Sequence, residues 1–414
     1  MATLQTQRPL PPGWRWVRLG EVIAEAQPGF ACGARNPKGV AQLRMNNVDT
    51  RGNMMWKEFI RVPTEESAVN EYQLRSGDVL FNNTNSVELV GKSALFLGFH
   101  EPVVYSNHFT RLRAVPEQLD HQYFAAWLLQ QWQLKVFENL CNRWIGQSAV
   151  KNDKLLALEI PLPPVEEQKR IAAILNEQMA TVERARAAAE AQLEASKALP
   201  AAYLRAVFSS PEARQWPKRR IGDLAKLQSG YAFKSEWFSR EGIRLLRNAN
   251  VFQGLIDWEE EVRLPWDRRP EFSAFELSKG DVILSLDRPV VADGLKVARL
   301  TDRDVPSLLL QRVGRFQLGA SIFPDYMYAF LNTREFTDAI TRHDQSIGVP
   351  HVSPLQVEEV ELPLPPLSEQ QRIAAMLNEQ VASAERARKA IEEELDAINK
   401  MPATLLRRAF AGEL

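Results

Sequence analysis

The feature that most constrains this chain is a long internal repeat. Residues 160–212 and 362–414 align without a gap at an offset of 202, and roughly half of the aligned positions are identical. The first copy contains PLPPVEEQKRIAAILNEQ and the second PLPPLSEQQRIAAMLNEQ. Solenoid repeats have periods of only about 20–50 residues. The sequence is therefore a duplication of a whole domain together with a connecting segment.

A weaker repeat extends upstream of the two well-matched copies. LRMNNV at 43–48 matches LRNANV at 246–251, and SGDVLF at 76–81 matches KGDVIL at 279–284. Between these anchors the two halves differ widely. The sequence thus alternates variable and constant segments. We place the variable segments at 1–160 and 211–362, and the constant segments at 161–210 and 363–414.

The constant segments are predicted to be long helices. Each follows PLPP, where proline blocks an earlier helical turn, and Ser368 with Gln371 resembles a capping box. Apolar or small residues then recur with a mean step of 3.6, which is the pattern of one apolar face. We expect a kink or local break at Pro200 and at Pro402.

Two near-identical amphipathic helices in one chain most simply pack on each other. If they are antiparallel, the duplication becomes a pseudo-two-fold axis and the pair forms a coiled-coil spacer. A helix of about 40 residues would be roughly 60 Å long. The alternatives are a coiled coil that only joins the domains, or one that makes a homodimer.

The variable segments mix strand and helix signals, so the fold class is α+β, with two tandem mixed domains. VILSL and the run Val79–Phe81 are predicted strands, whereas Tyr123–Phe137 and Tyr326–Phe336 are predicted amphipathic helices.

Polar clusters follow these anchors at corresponding places in both halves. Arg, Asn and Gln are the side chains that read base edges through paired hydrogen bonds in the major groove. The competing interpretation is a set of ordinary Asn-rich turns, and the basic residues Arg214, Lys218, Arg219 and Arg220 fit a solvated linker equally well. The candidate DNA-binding residues are Arg44, Asn46, Asn47, Asn82, Asn83, Asn85, Lys92, Arg143, Gln147 and Lys151 in the first half, and Arg247, Asn248, Asn250, Arg288, Lys296, Arg342 and His351 in the second.

Composition narrows the function classes. The net charge of −1 lowers the expectation of a tight, nonspecific nucleic-acid binder that acts alone. Two cysteines without a CxxC pair disfavour a disulfide framework and a zinc site. No P-loop, GxSxG, HExxH or adenine-methyltransferase motif is present. We expect a cytoplasmic, non-catalytic protein without a metal, a signal peptide or a membrane span.

The doubled helix motif, the terminal RRAFAGEL and the GDVLF and GDVIL anchors resemble the specificity (S) subunits of type I restriction-modification enzymes. The resemblance covers nearly the whole chain. One departure is that only PLPPGW, and no complete helix motif, precedes the first domain.

The resemblance implies a mechanism. Each variable segment would be a target recognition domain that reads one half of a bipartite, asymmetric site in double-stranded DNA. The helices would set the spacer and dock two methylation subunits. S-adenosylmethionine would be bound by the methylation subunits, and ATP and magnesium by restriction subunits that join the full complex. This chain would bind no cofactor directly.

Two other hypotheses remain open from the sequence. One is an orphan DNA-binding or scaffold protein that dimerises through its helices. The other is an enzyme whose active site carries no known motif, which the missing motifs disfavour. Neither the DNA sequence recognised nor the spacer length can be read from the chain.

Overall fold

The computed structural model describes residues 9–291, 294–341 and 351–414. The chain divides into two compact units. The first consists of Met1–Glu190 together with Glu393–Leu414, and the second consists of Ala191–Glu392. Each constant segment is therefore shared, with its beginning in one unit and its end in the other.

The first variable segment is a mixture of short strands and helices, as its residue pattern predicted. Its strands are β1 Arg15–Arg18, β2 Ile23–Pro28, β3 Val40–Leu43, β4 Ile60–Val62, β5 Val79–Asn82, β6 Thr84–Asn85, β7 Ser93–Leu95, β8 Val103–Tyr105, β9 Phe109–Ala114, β10 Asn142–Trp144, β11 Gln147–Ala149 and β12 Glu159–Leu162. Its helices are α1 Leu19–Val22, α2 Glu66–Tyr72, α3 His121–Gln133, α4 Val136–Leu140 and α5 Asn152–Leu156, with a 3-10 turn at Met45–Asn47. The long helix α6, Val165–Phe208, follows.

The second variable segment repeats this order. Its strands are β13 Lys218–Arg220, β14 Ala225–Ser229, β15 Ile243–Leu246, β16 Arg263–Leu264, β17 Glu276–Leu277, β18 Val282–Ser285, β19 Val290–Val291, β20 Gly294–Leu295, β21 Val297–Arg299, β22 Ser307–Leu309, β23 Val313–Leu318 and β24 Glu361–Pro363. Its helices are α7 Ile221–Leu224, α8 Pro324–Leu331, α9 Arg334–Thr341 and α10 Pro354–Glu358, with 3-10 segments at Ala213–Gln215, Ser235–Trp237, Asn248–Asn250 and Trp266–Phe275. The long helix α11, Leu367–Phe410, follows.

The two variable segments share one sheet topology. An antiparallel sheet has the order β2-β9-β5-β7 in the first and β14-β23-β18-β21 in the second. A mixed sheet contains a parallel pair, β3 with β8 in the first and β15 with β22 in the second. The predicted strands of the GDVLF and GDVIL anchors are β5 and β18, which lie inside the antiparallel sheets. The duplication read from the sequence is thus a duplication of fold.

Each predicted amphipathic helix of the variable segments is interrupted. In the first segment the interruption lies at Lys135, whose φ of 59° places it in the left-handed region between α3 and α4. In the second, α8 ends before Asn332 and α9 begins at Arg334. The apolar faces of both pieces still enter the core, because Phe137 and Phe336 are fully buried.

The core of each unit is completed by both long helices. In the first unit, Ile171 and Leu175 near the start of α6 share an apolar cluster with Leu406 and Ala409 near the end of α11. In the second unit, Ile373 near the start of α11 shares a cluster with the end of α6. Because the start of one helix meets the end of the other in each unit, the helices run antiparallel there, which confirms the predicted packing.

One buried glutamine at the start of each long helix bonds that helix to the variable segment that precedes it. Gln168 accepts a hydrogen bond from Asp120 N at 2.8 Å and donates to the carbonyls of Gln118 and Pro163. Gln370 makes the corresponding bonds to Phe323 N, at 2.8 Å, and to two carbonyls. The neighbouring Gln371, assigned to a capping box from the sequence, is exposed.

Of the kink or local break predicted at the internal prolines, the break does not occur. Pro200 lies inside α6 and Pro402 inside α11, and each helix continues for 44 residues. Proline removes one backbone donor but does not forbid the helical φ of its own position. Within the described part of the chain, no helix is both long and apolar enough to cross a membrane.

Candidate nucleic-acid interface

In the first unit the polar clusters of the sequence meet around one buried lysine. The Nζ of Lys92 donates to the carbonyl of Val48 at 2.6 Å and to that of Met45 at 3.3 Å. The ammonium thereby holds the 3-10 turn of the first cluster against the loop that follows β5. Burial lowers the pKa of Lys92, and the nearby carboxylate of Asp49 opposes this shift.

A small three-stranded sheet brings the third cluster beside the second. β6 pairs with β11, and β11 forms a hairpin with β10. The backbone N–H of Val150 donates to Asn83 O at 2.9 Å, while Asn83 Nδ2 donates to Thr110 Oγ1 at 3.0 Å. The loop that carries Asn83 and Asn85 and the hairpin that carries Arg143 therefore form one continuous surface.

We call the place where these loops meet around the buried lysine the junction of the unit. The second unit has a corresponding junction built from different residues. Lys296 Nζ donates to Asn248 Oδ1 at 2.6 Å, and the hydroxyl of Ser285 also contacts this oxygen. The backbones of Asp287 and His351 form an isolated antiparallel β-bridge. Burial lowers the pKa of Lys296, although Asp287 acts in the opposite direction. Lysine thus occupies the centre of the junction in both units.

Five of the candidate DNA-binding residues are buried and bonded to the protein's own backbone. Asn47, for example, donates to Met55 O at 2.8 Å and to Glu58 O at 2.6 Å. A side chain with its polar atoms committed in this way presents nothing to a base edge. We therefore reassign from base contact to holding the loops the residues Asn47, Asn82, Lys92, Asn250 and Lys296, each of which is less than 9% exposed.

The other candidates keep access to solvent. The exposed group consists of Asn46, Arg143, Gln147, Lys151, Arg288 and His351, and the half-buried group of Arg44, Asn83, Asn85, Arg247 and Asn248. Arg247 is partly engaged, because its Nη2 donates to Glu260 O at 2.7 Å. Base contact stays a prediction for these two groups. Arg342 lies outside the described residues.

Two further residues of the junctions were missed from the sequence. The carbonyl of His108 accepts from Asn83 N at 3.0 Å, and the carbonyl of Arg312 accepts from Leu286 N at 2.9 Å, so the two occupy equivalent places. Burial, followed by the positive charge of Arg44, lowers the pKa of His108. Arg312 donates to the carboxylate of Asp287 at 2.8 Å. The side chains of His108 and Arg312 differ. In the sequence, only their corresponding positions after β8 and β22 could have shown that the two residues are equivalent.

The chemistry available at the two junctions is recognition. The exposed amides of Asn46 and Gln147 offer paired donors and acceptors for base edges. The exposed cations Arg143, Lys151 and Arg288 suit phosphate oxygens. Within the described residues, no group of three or more His, Cys, Asp and Glu side chains is arranged to hold a metal ion.

Comparison with known protein families gives a match over most of the chain. The model of the type I restriction modification DNA specificity domain matches twice, at residues 11–195 and 213–396. The chain is 39% identical over 180 residues to the EcoAI specificity subunit of Escherichia coli, an alignment that covers 43% of this chain and 30% of that protein. It is 27% identical over 334 residues to the MjaVIII specificity subunit of Methanocaldococcus jannaschii, covering 77% of this chain and 75% of that protein.

Solved structures share the fold. The HsdS subunit from Thermoanaerobacter tengcongensis superposes with a TM-score of 0.67 at 23% identity, over 99% of both chains. A chain from a study of complex assembly and conformational transition in the type I R-M system gives a TM-score of 0.72 at 22% identity, over 99% of this chain and 100% of that chain. At such identities the likeness concerns the fold alone.

Proposed function

The chain belongs to the type I restriction modification DNA specificity family, and from that premise we propose how it works. It is a DNA sequence-specificity subunit of a type I restriction-modification system, and it binds a bipartite asymmetric site. Each variable segment acts as a target recognition domain and reads one half-site. The observation that carries this proposal is that in both units a buried lysine bonds the 3-10 turn of the first cluster to the loop after β5 or β18, while the side chains around it differ.

The differences between the two junctions support an asymmetric site. The first presents the exposed side chains of Arg143 and Gln147, whereas the second presents Arg288 beside the carboxylate of Asp287. Equal frameworks with different donors and acceptors are expected to select different bases. Phosphate contacts would set the register of each unit on the duplex without reading sequence.

The partners follow from the same proposal. Two methylation subunits dock on the constant helices and bring S-adenosylmethionine, and restriction subunits bring ATP and magnesium. The chain itself is non-catalytic and binds no cofactor. The helices, each 44 residues long and so rising about 66 Å, set the length of the unread spacer. The methylation and restriction subunits supply many of the contacts to DNA phosphates, in keeping with the net charge of −1 on this chain.

Sequencing the adenine methylation of the host genome tests the proposal. A bipartite motif methylated in the wild type should vanish when this gene is deleted and return on complementation. Unchanged methylation in the deletion strain would contradict a specificity role. Site-specific binding by the purified chain without any methyltransferase would instead favour an orphan DNA-binding protein.

A domain exchange tests the assignment of one unit to one half-site. Replacing residues 13–160 with another recognition domain should change one half of the methylated motif and leave the other half intact. An insertion of four residues in one long helix should lengthen the spacer with both halves unchanged. A chimera that altered both half-sites would refute the assignment.

A further inference from the structure

An apolar hairpin tip projects from the junction of the first unit. β10 and β11 are joined through Ile145 and Gly146, and Gly146 has a φ of 81°, which favours glycine at this turn. Ile145 is 106% exposed and the adjacent Trp144 is 58% exposed. Large apolar side chains grouped at a protruding tip mark an interaction site.

The neighbours of the tip indicate which partner it meets. Arg143 and Gln147 flank it on the two strands, both exposed, and Lys151 follows two residues after β11. The hairpin is also joined to the loop of Asn83 and Asn85 through the pairing of β11 with β6. A cationic and amide-bearing surface around an apolar tip fits a base-pair edge, which presents acceptors and, at thymine, a methyl group.

The dimensions of a two-stranded ribbon agree with this partner. The major groove of B-form DNA admits an α-helix or a two-stranded β-ribbon. The hairpin has three residues in each strand and a two-residue connection. It is held at its base, where Ser148 and Ala149 pair with β6, and free at its tip. The corresponding stretch of the second unit falls on 342–350, outside the described residues.

We propose that this hairpin enters the major groove of the half-site read by the first unit, and that Ile145, supported by Trp144, contacts a thymine methyl group there. Arg143 and Gln147 then lie beside the neighbouring base pairs. This inference rests on the proposed function and adds to it a specificity-determining apolar contact.

Replacing thymine with deoxyuridine in the duplex tests the contact, because the change removes only the methyl group. The probe is a duplex that carries the motif methylated in the wild-type host, bound by the complete complex of this chain with its methylation subunits. Each thymine of the first half-site is replaced in turn. We expect the deoxyuridine at one of these positions to weaken binding by the wild-type complex about tenfold. Ile145→Ala should weaken binding to the thymine duplex by a similar factor and bind both duplexes equally.

Leu97 provides the matched control. It is 67% exposed. Lys92 precedes β7 and Leu97 follows it, so Leu97 is remote from the hairpin tip in sequence, and Leu97→Ala should keep full thymine discrimination. Trp144→Ala gives a second variant, expected to reduce discrimination without loss of folding because its side chain is exposed.

Three outcomes decide the inference. If Ile145→Ala retains the wild-type preference for thymine, or if no deoxyuridine weakens wild-type binding, the contact does not exist. If Ile145→Ala fails to co-purify with methylation subunits, the tip binds protein and the inference is overturned. If the wild-type complex does not distinguish the motif from a scrambled duplex, the proposed function itself fails.

Discussion

At the residue scale, neighbouring positions of one cluster have opposite roles. Asn46 is exposed, whereas Asn47 is 1% exposed and bonded to two carbonyls and one N–H. Asn250 repeats the arrangement of Asn47 in the second unit, where its Nδ2 donates to Asp257 O and Glu260 O. The repeated asparagine of the two turns is therefore a structural residue, and DNA contact by its exposed neighbour Asn46 stays a prediction.

Paired alanine substitutions separate these roles. Asn47→Ala should lower the free energy of unfolding by about 1–3 kcal/mol, because it leaves buried backbone groups without partners. Asn46→Ala should leave stability unchanged and weaken only sequence-specific binding. Denaturant unfolding and binding to the methylated motif measure the two effects. Equal stability of the two variants would refute the structural role of Asn47.

His108 makes the stability of the first unit dependent on pH. Its folded pKa lies below the ordinary value because of burial and then of Arg44, so between the two pKa values the unfolded chain binds more protons. The contribution is present in full above about pH 6.5 and is lost as the pH falls through the folded pKa. Unfolding followed from pH 7.5 to 5 should show this decrease, and His108→Gln should flatten it. An unchanged slope in the variant would assign the dependence to other groups.

At the element scale, the long helices are positioned by side chains that helical periodicity does not reveal. The apolar stripe predicted each helix, but Gln168 and Gln370 are polar and buried in the same face. Each connects the first turn of its helix to the backbone of the preceding variable segment. Tyr123 and Tyr326 add a second connection, since their hydroxyls donate to Pro161 O and Pro363 O at 2.7 Å.

Gln370 and Gln371 form a matched pair for testing this connection. Gln370→Ala removes three hydrogen bonds and should destabilise the second unit by about 1–3 kcal/mol. Gln371→Ala, on the exposed side of the same turn, should change stability by less than about 0.5 kcal/mol. Thermal unfolding of the two variants gives the comparison. A reversed order would restore the capping assignment made from the sequence.

At the scale of the whole molecule, the first unit is completed by a helix end from a distant part of the chain, whereas the second is one continuous stretch, Ala191–Glu392. The ring of Phe410 lies 5.0 Å from that of Tyr123 in the first unit, and the ring of Phe208 lies 5.3 Å from that of Tyr326 in the second. The core of the first unit thus depends on residues far away in sequence from the rest of it.

Two phenylalanine substitutions test this dependence. Phe208→Ala should destabilise the second unit by about 3 kcal/mol or more, because it leaves a cavity beside Tyr326 and Phe330. Phe410→Ala should act on the first unit, although it lies at the other end of the chain. Hydrogen exchange resolved by peptide should increase in α8 for the first variant and in α3 for the second. Faster exchange in the opposite helix would contradict the shared cores.

The sequence alone determined the duplication, the α+β class, the two long helices and the loops that carry recognition. These are local or periodic signals, since a helix stripe, a strand anchor and a repeat offset are all read without knowing what lies across the core. Only the tertiary structure decided which polar residues are free. Asn47, Lys92 and Lys296 look like contact residues until their carbonyl partners are known, and burial depends on those distant partners. It also decided that both helices continue through their prolines. The end of α11 completes a core begun far away in the chain, and packing between segments remote in sequence leaves no periodic trace.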